Sequence, residues 1–200
     1  VSHVVFTLSS VIPSAVPSAG GSMVTVFADN ILADDQGGSV WCKFGPHENL
    51  SLTEVRHGKF TCLTPAMPSG RTSLLLAKQN VDGSSVLDSL KMPLDVYDEA
   101  MVTSLHPTVG HLDGGFLVTV NGQNFLPGAS AAFDSTMTVS TFVSTSQMIV
   151  SAPAHIEGTI LVSVCNNGVD IAPAGIEFVF MPTPSVSRIV PSVRGLGLTA

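Results

Sequence analysis

The chain has 200 residues, 44% of them hydrophobic and only 12% charged, with 8 Lys+Arg against 15 Asp+Glu and a net charge of −7. This length holds one large domain or two of about 100 residues. The acidic balance argues against nucleic acid or an anionic membrane as a partner, since both require a basic face. No apolar run reaches the ~18 residues of a membrane span, so no direct membrane insertion is expected in this segment. Val1 follows no leader-like stretch, and the chain is read as a piece of a longer protein.

The predicted elements are short strands. In chain order they are M-V-T-V-F from Met23, W-C-K-F from Trp41, S-L-L-L from Ser73, F-L-V-T-V from Phe116, T-F-V-S-T from Thr141, I-L-V-S-V from Ile160 and F-V-F from Phe178. Each is rich in β-branched or aromatic residues and is bounded by Gly, Pro, Asn or Ser. No segment carries a sustained 3.6-residue apolar stripe, so helix is limited to a turn or two. This pattern predicts an all-β protein built from sandwiches.

The sequence also repeats itself. Ile12-Pro13-Ser14 returns as His106-Pro107-Thr108 and again as Val190-Pro191-Ser192. Gly20-Gly21-Ser-Met-Val-Thr-Val26 returns as Gly114-Gly115-Phe-Leu-Val-Thr-Val120, and Asn30-Ile-Leu32 as Asn124-Phe-Leu126. Cys42-Lys-Phe44 aligns with Ala131-Ala-Phe133, Cys62-Leu-Thr-Pro65 with Val150-Ser-Ala-Pro153, and Gly70 with Gly158. The implied boundaries are 1–7 for the end of a preceding repeat, 8–98 for the first complete repeat, 99–182 for the second and 183–200 for the start of a third. The joints contain proline but no long flexible tract, so short, stiff links are expected.

Charge is unevenly shared between these repeats. Lys43, Arg56, Lys59, Arg71, Lys78 and Lys91 precede a stretch without any basic residue up to Arg188. From 101 to 182 the only charges are Asp113, Asp134, Glu157, Asp170 and Glu177. The second repeat must therefore stay soluble through Ser, Thr, Asn and Gly, as a neutral secreted domain does, or be covered by glycan or by neighbouring subunits.

The order I-x-P, G-G, V-T-V, x-N-F/I, C-x-F-G, C-x-x-P, G, V-x-V resembles the IPT/TIG family. These immunoglobulin-like domains occur in plexins, Met-type receptors, fibrocystin-like proteins, microbial surface proteins and some transcription factors. The resemblance covers nearly the whole chain. It implies tandem immunoglobulin-like β-sandwiches arranged as beads on a string, and it implies no shared active site. The DNA-binding members use basic loops, which this chain lacks.

In extracellular members the resemblance also implies a disulfide between the C-x-F and C-x-x-P strands, here Cys42 and Cys62. In the second repeat both positions change together, to Ala131 and Val150, as expected if a bridge is lost as a unit. No close C-x-x-C or C-x-x-H cluster supports a metal site or a thioredoxin-type pair. His47 and His57 lie between the cysteines and read as exposed loop residues. A disulfide implies an oxidising compartment, and hence an extracellular or cell-surface location. Cys165 is the odd cysteine, either a buried free thiol or a link to another chain.

Asn49-Leu-Ser51 is a glycosylation sequon in the presumed loop between the two cysteine strands. Pro182-Thr-Pro-Ser-Val-Ser187 reads as a linker. Asp29-Asn30 and Asp34-Asp35 read as a solvated acidic loop, without the oxygen series that calcium needs. No catalytic or cofactor signature such as G-x-S-x-G, H-E-x-x-H or G-x-G-x-x-G is present, so the segment is read as non-enzymatic, with no cofactor. The expected role is structural or adhesive: a stalk, or the subunit of a surface filament or coat. Its partners would be other copies of itself or other extracellular proteins, with covalent glycans. The alternative is a spacer or ligand-binding ectodomain of a plexin- or Met-like receptor.

Overall fold

The computed structural model describes residues 7–29, 39–46, 50–56, 59–79, 85–87 and 91–190. No helix occurs among them. The first nine strands are β1 (Thr7–Ile12), β2 (Ala15–Pro17), β3 (Met23–Asp29), β4 (Ser39–Phe44), β5 (Leu50–Arg56), β6 (Lys59–Leu63), β7 (Gly70–Gln79), β8 (Ser85–Leu87) and β9 (Met92–Tyr97). Eight more follow: β10 (Met101–His106), β11 (Val109–His111), β12 (Leu117–Gln123), β13 (Ser130–Phe133), β14 (Thr136–Ser144), β15 (Gln147–Ser151), β16 (Gly158–Cys165) and β17 (Ile176–Met181).

The two sets have the same order, β1-β3-β6-β5-β4-β7-β9-β2 and β10-β12-β15-β14-β13-β16-β17-β11. In each, one strand belongs to both layers. Thr136 to Val139 of β14 pair with β13, whereas Ser140 to Ser144 pair with β15. Likewise Leu50 and Ser51 pair with β4, and Leu52 to Arg56 with β6. The shared strand closes two sheets into one sandwich, and β2 and β11 add parallel edges to β9 and β17. Bulges fall at matching places, between Leu8 and Ser10 and between Val102 and Ser104.

Period-two alternation explains which side chains meet. In β12, Val118 and Val120 face the core, and in β3 Val24 and Val26 do the same. The first core joins these valines and Phe60 to Phe44, Leu74, Leu76, Leu94 and Val96 across the sandwich. The second joins Val118, Val120, Met148 and Val150 to Phe133, Val162, Val164, Phe178 and Phe180. The two cores have no residue in common.

One reading changes. The segment between the cysteine strands was expected to be a loop, yet Leu50–Arg56 is a strand. Its apolar alternation runs only through Leu50 and Leu52 before a bulge between Leu52 and Glu54, and without this strand the two sheets would lack their shared member. His47, Asn49, His57, Asn30, Asp34 and Asp35 lie outside the described residues, as do 191–200 of the expected third repeat.

The repeated glycines have a steric reason. Gly20 and Gly114 have φ of +76° and +67°, and a Cβ on either would overlap the backbone of Pro65 and Ala66 or of Pro153 and Ala154. Gly115 also has positive φ, but its Cβ would meet open space. Gly115→Ala is therefore expected to cost about 1 kcal/mol, the left-handed backbone penalty. Gly114→Ala adds overpacking against backbone and should cost at least about 3 kcal/mol. Urea unfolding of the two variants checks this order.

Candidate functional site at the joint between the sandwiches

Among the described residues, no three His, Cys, Asp or Glu side chains are grouped as a metal site. The features that stand out are a bridge across the first sandwich and a polar joint between the two sandwiches.

Cys42 on β4 and Cys62 on β6 are bonded, with Cα atoms 6.3 Å apart, and both are fully buried. They tie one layer of the first sandwich to the other. Ala131 and Val150 occupy the matching buried positions on β13 and β15. Cys165, at the end of β16, is a free and buried thiol. Burial pushes its pKa up, partly offset by backbone N–H groups of Asn167 and Gly168.

The link between the sandwiches is only Asp98, Glu99 and Ala100. Above it, the loop after β16 reaches back to the first sandwich. Asn167 Nδ2 donates to the Ala15 carbonyl at 2.9 Å, and Ser22 Oγ donates to Asp170 Oδ2 at 2.7 Å. Asn167 holds the loop in shape, since its Oδ1 accepts from the N–H groups of Val169 and Asp170 and its Nδ2 also donates to Asp170. Ser22 is buried, and its N–H donates to Thr64 Oγ1.

A second set of amides ties this loop to the link. Asn166 Nδ2 donates to the Asn124 carbonyl at 2.8 Å, Leu126 N–H donates to Asn166 Oδ1, and Asn124 Nδ2 donates to the Glu99 carbonyl at 2.9 Å. Asn124 has φ of 59°, a left-handed conformation that asparagine tolerates. The Asn-Phe motif thus has two uses, since Phe125 beside it is buried in the core. A cleft of about 30 Å³ remains between the sandwiches, lined by Pro17, Tyr97, Val164, Asp170 and Pro173 among others. Burial raises the Tyr97 pKa above its ordinary value, and the Asp170 carboxylate raises it further, so the phenol stays neutral.

Sequence reasoning found Cys42 and Cys62 but not Ser22, Asn124, Asn166, Asn167 and Asp170 as a set. Its one available signal was the polar N-N-G-V-D stretch, which holds a carboxylate in a charge-poor repeat.

The structure defines a class: two immunoglobulin-like sandwiches of one topology, set end to end. Residues 100–180 match the model of the IPT/TIG domain. The chain is 33% identical over 155 residues to Fibrocystin-L of Mus musculus, a match spanning 74% of this chain but only 3% of that protein. The plexin A4 extracellular region superposes with a TM-score of 0.55 and 16% identity, over 96% of this chain and 18% of that one. Identity this low makes the plexin likeness one of fold. Residues 100–180 form a domain of the IPT/TIG family.

Two predictions come from this geometry. Replacing the bridge by the second sandwich's own pair, Cys42→Ala with Cys62→Val, is expected to destabilise the first sandwich by up to about 3 kcal/mol, the loop-closure entropy of a bridge this short. Denaturant unfolding should show this loss, with the second sandwich unchanged. Asp170→Ala removes the two side-chain hydrogen bonds its carboxylate accepts, from Ser22 and Asn167, and is expected to lower the unfolding midpoints only modestly, because each bond contributes about 1 kcal/mol net. It should loosen the joint, so that residual dipolar couplings of the two sandwiches no longer fit one alignment tensor, as they should in the unaltered chain.

Proposed function

We propose that this chain is a non-catalytic structural or adhesive segment of a longer extracellular repeat protein, acting as part of a stalk or as a subunit of a surface filament or coat. The observation that carries this reading is the joint. A three-residue link and the hydrogen bonds of Asn167 and Asp170 hold one sandwich against the next. A segment built this way transmits position and force rather than hosting chemistry.

Two further features agree. The buried Cys42–Cys62 bridge forms and persists in an oxidising compartment, which supports a location outside the cytosol. The layer β10-β12-β15-β14 contains no Asp, Glu, Lys or Arg. Its outer face is Ser, Thr, Asn, Gln and His106 around exposed Met101, Leu117 and Val143. Lateral contact there meets little charge repulsion and little charge desolvation. The partners are other copies of the chain or other extracellular proteins, with glycan at Asn49 as an addition outside the described residues.

Full-length protein is expected to associate with itself at micromolar concentration in sedimentation velocity, and Leu117→Lys with Val143→Lys should abolish that association. An extended monomer at every concentration, together with no polymer on the native surface, would sink the proposal.

A further inference from the structure

The end of the first sandwich that meets its neighbour and the far end of the second sandwich are one surface in two states. The strand register makes the match. Ala15 and Pro17 of β2 pair with Asp95 and Tyr97, as Val109 and His111 of β11 pair with Val179 and Met181. Met67 donates its N–H to the Ser18 carbonyl as His155 does to that of Leu112, both at 2.9 Å. The G-G motif aligns Ser22 with Phe116.

At the first of these ends Pro17, Ser22 and Met67 are buried. At the second, Val109 and Met181 are exposed, and His111, Phe116 and His155 are only partly buried. His111 Nδ1 has no hydrogen-bond partner among the described residues, the nearest carboxylate oxygen being Asp113 Oδ2 at 4.0 Å. The loop carrying Asn167 and Asp170 covers the first end, and nothing in the described chain covers the second.

A second observation says what belongs there. By register with the I-x-P motif, Val186 and Ile189 stand where β1 has Leu8 and Val11 and β10 has Val102 and Leu105. Those four are 5–7% exposed, whereas Val186 is 82% and Ile189 73% exposed. Apolar residues at core positions of a first strand, with no sheet over them, call for the rest of a sandwich.

We infer that the end formed by Val109, His111, Phe116, His155 and Met181 is the acceptor for a further immunoglobulin-like unit whose first strand is supplied by the 185–190 segment, and that this second joint is apolar where the first is polar. Phe116 replaces the Ser22 hydroxyl, Ala152 replaces Thr64, and Met181 replaces Tyr97, so no hydroxyl remains to receive an aspartate. The incoming loop therefore presents an aliphatic or aromatic side chain in the place of Asp170, with one polar group for His111 Nδ1. The inference rests on the repeat-array part of the proposed function and is independent of self-association.

The test compares the 200-residue chain with the same chain extended through one further repeat length of its native reading frame. Amide exchange at Val109 to Phe116, His155 and Met181 should slow at least tenfold in the longer chain, and Phe116→Ser should restore fast exchange. Val186→Asp with Ile189→Asp should leave the shorter chain's unfolding midpoint unchanged and unfold the added unit. If the added unit depends on Val186 and Ile189 but the end face exchanges as before, the acceptor surface is wrong and the array stands. If those substitutions change neither chain, both ideas fall.

Discussion

Each sandwich depends on contact between its two layers at one place, where β4 faces β6 or β13 faces β15. The first sandwich makes that contact covalent, through Cys42 and Cys62. The second fills the same interior positions with Ala131 and Val150. It also replaces Leu94 and Val96 by Phe178 and Phe180, which lie with ring centroids 5.0 Å apart and pack with Phe133 at 5.8 and 6.4 Å. Aromatic pairs of this kind add about 0.5–1.5 kcal/mol beyond the area they bury. One topology is thus closed in two ways, by a bond in one copy and by larger rings in the other.

The close approach of Gly20 to Pro65, and of Gly114 to Pro153, is common to both solutions. It brings the chain before β3 or β12 onto the chain after β6 or β15. Gly21 and Gly115 then donate to the carbonyls of Thr64 and Ala152, both at 2.8 Å. These backbone contacts need no particular core composition, which is why the glycines repeat while the cysteines do not.

What the sequence made legible follows from this. Strand alternation, paired glycines and the I-x-P motif are local patterns, or patterns repeated at a fixed period, and a single chain displays them, whereas the pairing of Cys42 with Cys62 was implied by the family resemblance. Two things escaped. The strand Leu50–Arg56 has short, mixed pairing with a bulge, so its alternation is broken where it changes layers. The joint escaped because its bonds link residues 148 and 152 positions apart, Ser22 with Asp170 and Ala15 with Asn167. No window along the chain contains both partners, and each residue taken alone reads as an ordinary turn former.

The chemistry of the joint also fits an array better than a single folding unit would. The two apolar cores are separate, so neither sandwich needs the other to bury its interior. What crosses the boundary is a few directed hydrogen bonds, each small in net free energy but strict in geometry. Such a boundary sets an angle and leaves the cores independent. Repeat proteins of this kind depend on nearest-neighbour terms, and a change of residue at one boundary alters that boundary alone. At the further boundary inferred above, Phe116 in the place of Ser22 would therefore change the angle or strength of one joint while both sandwiches keep their fold.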